Sequence, residues 1–142
     1  MFVGQYAHNI DDKGRLAVPA RFRSDLKKAV VTKGLENCLV VYPKKKWDVF
    51  AEKLAALSVT KTNSRAFARL MLAGAMEVSV DSQGRVILPE YLRTYAGLVK
   101  KVVITGLYDR LEIWDETSWQ KYQSETEKNA GSIAEALTDL DI

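Results

Sequence analysis

Two pentapeptides carry the residues in this chain best suited to chemistry, Asp11-Asp12-Lys13-Gly14-Arg15 and Asp81-Ser82-Gln83-Gly84-Arg85. In each, a carboxylate precedes a guanidinium by four residues, with a glycine between them. Asp at the first position and Gly at the fourth spell a type I turn that closes a hairpin through a left-handed glycine. The Asp11 and Asp81 carboxylates can then accept turn N–H groups, while Gly14 and Gly84 take a positive φ without steric cost. Arg15 and Arg85 emerge at the base of rigid hairpins, near enough to their aspartates to be oriented by them. An arginine held in this way is suited to bonding two acceptors at once, on a guanine edge or on a phosphate. Two readings stand at this point: each pair clips its own hairpin, or both arginines reach one partner. Lys13, at the first tip, suits a phosphate. Gln83, at the matching tip, suits a base or a backbone group.

Catalytic patterns are thin. His8 and Cys38 are the single histidine and the single cysteine, which leaves no zinc-ligand set and no intramolecular disulfide. There is no glycine-rich phosphate loop and no Gly-x-Ser-x-Gly. Asp11 with Asp12 resembles a metal pair, but the second pentapeptide keeps only Asp81. A carboxylate pair lost in one copy while the arginine persists favours binding over catalysis, with no metal, cofactor or small-molecule substrate expected. His8 reads as a strand residue, and Trp47, Trp114 and Trp119 as core and interface residues.

The elements that must position these residues are also duplicated. "GRLAVPARFRSDL" from Gly14 matches "GRVILPEYLRTYA" from Gly84 at a constant offset of 70. "VVTKGLENCLVVYPKKKWDVF" from Val30 then matches "VVITGLYDRLEIWDETSWQKY" from Val102 at an offset of 72. Alternation predicts short strands around each turn, with Leu16 and Val18, or Val86 and Leu88, on one face. The preceding strands carry Phe2, Tyr6 and Ile10 in one unit and Met76, Val78 and Val80 in the other. Pro19 and Pro89 open short helices, where a missing N–H costs nothing. Segments rich in β-formers follow, Val30 to Tyr42 and Val102 to Trp114. Each leads into a helix bearing Trp47 or Trp119, the second capped by Asp115. Between the units, "TNSRAFARLMLAGA" spaces Phe67, Leu70 and Met71 as a linker helix. The expected division is 1–59, a linker at 60–75, 76–123, and a weakly structured tail at 124–142 with Ile133, Leu137 and Leu140 at helical spacing. The fold class is a β-rich α+β protein in which two equivalent units share a core about a pseudo-two-fold.

Charge is unevenly spread. Residues 1–70 carry 14 Lys and Arg against 6 Asp and Glu, whereas the remainder carries 7 against 12. A basic half suggests nucleic acid or an acidic partner. Arg21, Arg23, Lys27 and Lys28 follow the first turn, Arg93 matches Arg23, and these arginines are candidates for phosphate contacts. Lys44, Lys45 and Lys46 suit either DNA or the acidic surface of another subunit. No apolar run approaches a membrane span, and "MFVGQYAHNI" has no basic-then-apolar leader, so the expected setting is the cytoplasm.

The two Asp-x-x-x-Arg motifs, the "GRLAVP" and "GRVILP" that follow them, "LMLAGA" and "LEIWDETSW" together resemble the MraZ family of bacterial transcriptional regulators. The resemblance implies two fused AbrB-like swapped-hairpin β-barrel units with flanking helices. It also implies that Arg15 and Arg85 carry recognition of double-stranded DNA, supported by Asp11 and Asp81. The implied protein is a nucleoid-associated ring of many subunits that binds short direct repeats, commonly as a repressor of its own division and cell-wall operon. An antitoxin-like DNA-binding protein and a protein-only scaffold are the alternatives.

Overall fold

A computed structural model describes residues 1–137. Eight strands and five helices follow one another as β1 (Phe2–Asn9), β2 (Arg15–Ala17), β3 (Ala29–Lys33), β4 (Leu39–Pro43), α1 (Lys44–Ala55), α2 (Thr62–Ala68), β5 (Met76–Val78), β6 (Arg85–Ile87), α3 (Glu90–Ala96), β7 (Lys101–Tyr108), β8 (Leu111–Asp115), α4 (Glu116–Lys128) and α5 (Ala130–Ala136). The result is a β-rich α+β fold with one six-stranded sheet, ordered β1-β7-β8-β4-β3-β5, one two-stranded ribbon, β2-β6, and flanking helices. All pairings are antiparallel.

The pairings cross between the repeats. Strand β1 of the first repeat lies on β7 of the second, and β5 of the second lies on β3 of the first. β4 pairs with β8 and β2 with β6, so every ladder except β3–β4 and β7–β8 joins the two halves. The main core is accordingly common property. Leu16, Phe22, Val31, Leu88, Leu92 and Ile104 are all buried in one cluster. Each such side chain contributes about 1.5–3 kcal/mol by leaving water. Phe22 meets the rings of Phe2 and Tyr6 edge-on, with centroids 5.1 and 5.3 Å apart, a favoured aromatic geometry.

The opposite face of the sheet carries a second cluster, in which Trp47 of α1 and Met71 of the linker pack with Val30, Val40 and Tyr42 of the sheet. Tyr42, Trp47 and Phe50 pack together, and their repeat counterparts Trp114, Trp119 and Tyr122 do the same. The linker is helical as its composition predicts, but α2 widens into a π turn at Arg69–Ala73. The Thr32 hydroxyl donates to the Met71 carbonyl at 2.6 Å, giving a partner to a carbonyl in that irregular turn.

Several local features have physical causes. β5 is only three residues long, and Met76 at its start is exposed. Its ladder on β3 ends at the Val31–Met76 pair although β3 runs on to Lys33, because the residues ahead of Met76 are still in the linker's π turn at Arg69–Ala73, whereas β7 runs on through Gly106. A side chain on Gly106 would collide with the Val3 backbone nitrogen at 2.4 Å, so glycine there lets β1 lie down along its whole length. The segment after Pro19 is a 3-10 helix. Its counterpart after Pro89 closes an α-helix on left-handed Gly97, a cap the first repeat lacks. In the terminal region, α4 runs to Lys128 and α5 covers Ala130–Ala136, with Ile133 exposed. The expected Leu140 position lies outside the described residues.

Candidate nucleic-acid interface

The two hairpin turns are built alike. In the first, the Gly14 N–H donates to the Asp11 carbonyl at 3.0 Å and the Asp11 N–H to the Arg15 carbonyl at 3.1 Å. The Asp11 carboxylate accepts from the N–H groups of Lys13 and Arg15 at 3.0 and 2.9 Å. In the second, the Asp81 carboxylate accepts from Gln83 and Arg85 N–H at 2.8 and 2.9 Å. Gly14 and Gly84 have φ of 79° and 78°, the left-handed conformation that the motif requires. Both carboxyls are held below the usual carboxylate value, first by the N–H of Arg15 or Arg85.

Each aspartate also grips its arginine. Arg15 Nε donates to Asp11 Oδ2 at 2.6 Å, and Arg85 Nε to Asp81 Oδ2 at 3.4 Å. Among the described residues, Nε is the sole guanidinium nitrogen of either arginine with an acceptor, so the terminal nitrogens remain for another molecule. The second grip is the looser.

The ribbon sets the two arginines side by side. Arg15 opposes Ile87, Leu16 opposes Val86 and Ala17 opposes Arg85. Leu16 and Val86 point into the core. Because side chains alternate along a strand, Arg15, Ala17, Arg85 and Ile87 share the outward face. The arginines are diagonal neighbours across this ladder, roughly 7–8 Å apart. The ladder extends at both ends, since the Val18 N–H donates to the Gly84 carbonyl at 2.9 Å and the Leu88 N–H to the Gly14 carbonyl at 2.8 Å. Lys13 and Gln83 therefore stand at opposite ends of the ribbon, roughly 20 Å apart at about 3.3 Å per residue. Both are exposed, and neither side chain has a hydrogen-bond partner among the described residues.

Arg23 and Arg93, the candidates for phosphate contacts, each hold a backbone carbonyl. Arg23 Nε donates to the Val18 carbonyl at 2.8 Å and Arg93 Nε to the Leu88 carbonyl at 3.0 Å. Each guanidinium lies under the turn glycine of the other repeat: a Cβ on Gly84 would fall 2.3 Å from Arg23 Cζ, and one on Gly14 would fall 2.9 Å from Arg93 Nε. Arg21 is exposed, donates to the Tyr6 hydroxyl at 3.1 Å and lies over the Phe22 ring.

Further charges gather where sequence alone does not put them. Lys28 and Lys44, from the first repeat, line an open groove with Glu77, Asp81, Arg85 and Ile87. Lys27 stands beside Ser82 and Gly84. These neighbours arise only because the repeats interlock, so no local pattern announces them. Ile87 does have a sequence signal, being in phase with Arg85 and out of phase with Val86. His8 is half-buried on β1, where burial and then the Arg23 charge lower its pKa. Cys38 is fully buried, and burial and then Glu112 push its thiol well above the ordinary value. Among the described residues, no group of three or more His, Cys, Asp or Glu is placed to hold a metal ion, and no helix is long and apolar enough to cross a membrane.

Fold and site together define a class: an interlocked duplicated β protein that presents two aspartate-oriented arginines on one ribbon. A family model described as "MraZ protein, putative antitoxin-like" matches the chain twice, over residues 1–70 and 71–141. The transcriptional regulator MraZ of Moorella thermoacetica is 49% identical over 143 residues, covering 100% of both chains. Those of Natranaerobius thermophilus and Leuconostoc citreum are 48% and 46% identical, with coverage of 100% and 99% of each chain. The chain belongs to the MraZ family.

Proposed function

We propose that the chain is a sequence-specific DNA-binding transcriptional regulator, not an enzyme, and that it lays the β2–β6 ribbon into the major groove. The supporting observation is the diagonal pair of outward arginines on a two-stranded ribbon, an element the major groove admits. Arg15 and Arg85 take base edges, Asp11 and Asp81 hold their geometry, Lys13 contacts phosphate, and Gln83 contacts a base or backbone. Lys27, Lys28, Lys44 and Arg21 add charge beside the ribbon. Arg23 and Arg93 hold the two turns in place.

The exchange of first strands between repeats supports reading the fold as two AbrB-like swapped-hairpin units closing a barrel, divided at the linker of residues 60–75. Relatives that are transcriptional regulators by name support a regulatory role, which we place in the cytoplasm at the nucleoid. There the protein represses its own division and cell-wall operon. Each well-made base contact is worth only about 1–3 kcal/mol of discrimination. A ring of subunits on several direct repeats would raise affinity through effective concentration. The antitoxin-like wording of the family description favours a second reading, in which the same ribbon binds DNA and another surface holds a toxin.

The test is salt-titrated binding to DNA upstream of the protein's own gene, with oligomer size measured alongside. Arg15→Ala and Arg85→Ala should each weaken binding by about 1–3 kcal/mol, and the double variant should abolish specificity. Lys13→Ala should instead flatten the salt dependence by about one unit of slope. Equal binding by wild type and the double variant would refute the proposal.

A further inference from the structure

From the outward face of the ribbon we infer that Ile87 is a specificity-determining residue: it reads the C5-methyl group of a thymine beside Arg15's base and so sets the polarity of the chain on the duplex. This rests on the reading of the ribbon as the DNA-binding surface. Of the four outward residues, two are arginines and one is Ala17. The fourth, Ile87, is 59% exposed and sits directly across the ladder from Arg15. Paired residues on one face of a ribbon lie about 5 Å apart, and successive bases of one strand rise about 3.4 Å. The Ile87 side chain thus falls within one or two base steps of the base that Arg15 would bond. An exposed branched apolar side chain at that depth has one chemically matched group on the major-groove floor, the thymine methyl.

The repeat makes the placement informative. Ala17 is the counterpart of Ile87 at the offset of 70, and it opposes Arg85 as Ile87 opposes Arg15. Two identical halves would present the same face in both orientations on DNA. A side chain of four carbons on one side and a single methyl on the other breaks that equivalence at the centre of the interface. Lys13 against Gln83 breaks it at the tips.

The experiment uses a duplex enriched from a random-sequence pool by the wild-type protein. Each thymine is replaced in turn by deoxyuridine, which lacks only the methyl. Wild type, Ile87→Ala and the Arg15→Ala/Arg85→Ala double variant are compared on every duplex. Burying one methyl predicts about a fourfold loss for wild type at one thymine per bound chain, and no loss at that position for Ile87→Ala. Uniform binding by wild type across the series, or a loss that persists in Ile87→Ala, overturns the inference while leaving the ribbon reading intact. Undiminished binding by the double variant overturns both. Ile87 is exposed, so its truncation leaves the fold unaltered, which a thermal melt of the variant checks.

Discussion

Replacing Gly84 with alanine measures how tightly the two repeats grip one another. At φ 78° an L-residue is strained by about 1–2 kcal/mol. In addition, the new Cβ would fall 2.3, 2.4 and 2.6 Å from Arg23 Cζ, Nε and Nη1. The guanidinium must leave, breaking its 2.8 Å bond to the Val18 carbonyl, and a bond from a charged donor is worth about 1.5–3 kcal/mol. The expected cost is therefore about 3–4 kcal/mol by urea denaturation at fixed protein concentration. In an Arg23→Ala background the clash is gone, and Gly84→Ala should cost only about 1–2 kcal/mol. The coupling between the two changes, about 2 kcal/mol, crosses from the first repeat to the second. Gly14 is the control. There a Cβ would first meet the Leu88 carbonyl oxygen at 2.6 Å, a backbone group held by the ladder, so Arg93→Ala should recover less than Arg23→Ala does at Gly84. Additive costs at Gly84, within about 0.5 kcal/mol, would refute the clasp.

Acid should weaken the turns. The folded-state carboxyls of Asp11 and Asp81 lie below the ordinary 3.8, held there chiefly by backbone N–H donors. Depressed acids stabilise the fold above the unfolded value and lose that contribution as pH falls through the folded one. Unfolding free energy should thus drop below about pH 4, with a shallower slope in Asp11→Asn/Asp81→Asn; an unchanged slope would contradict the assignment. Cys38 is fully buried, and its Sγ donates to the Leu35 carbonyl at 3.2 Å. Iodoacetamide labelling should consequently follow global unfolding, and fast labelling of the native protein at neutral pH would contradict the packing.

What could be read from sequence was what local chemistry decides. The two Asp-x-x-x-Arg turns, the inward phase of Leu16 and Val86, and Asp115 capping α4 through the Ser118 N–H at 3.2 Å depend on neighbours a few residues away. Interlocking does not. That β1 lies on β7 and β5 on β3 is decided by partners about one hundred and about forty-seven residues distant, which periodicity cannot choose between. Nor does local pattern show that Arg23 and Arg93, read as candidates for phosphate contacts, lie under the turn glycine of the other repeat. The grouping of Lys28 and Lys44 with Arg85 was hidden for the same reason. The shortness of β5 followed from the linker helix, which continues through Ala73 almost to the strand's first residue.

The central claim is that Arg15 and Arg85 meet bases from the major groove, and 7-deazaguanine tests it most directly. This base removes the N7 acceptor from the major-groove edge and leaves Watson–Crick pairing in place. Substituting each guanine in turn within a bound duplex should weaken wild type strongly at a small number of positions. Arg15→Ala should lose sensitivity at one set of these and Arg85→Ala at another. Indifference of the wild-type protein to every substitution would show that the ribbon does not read guanine from the major groove.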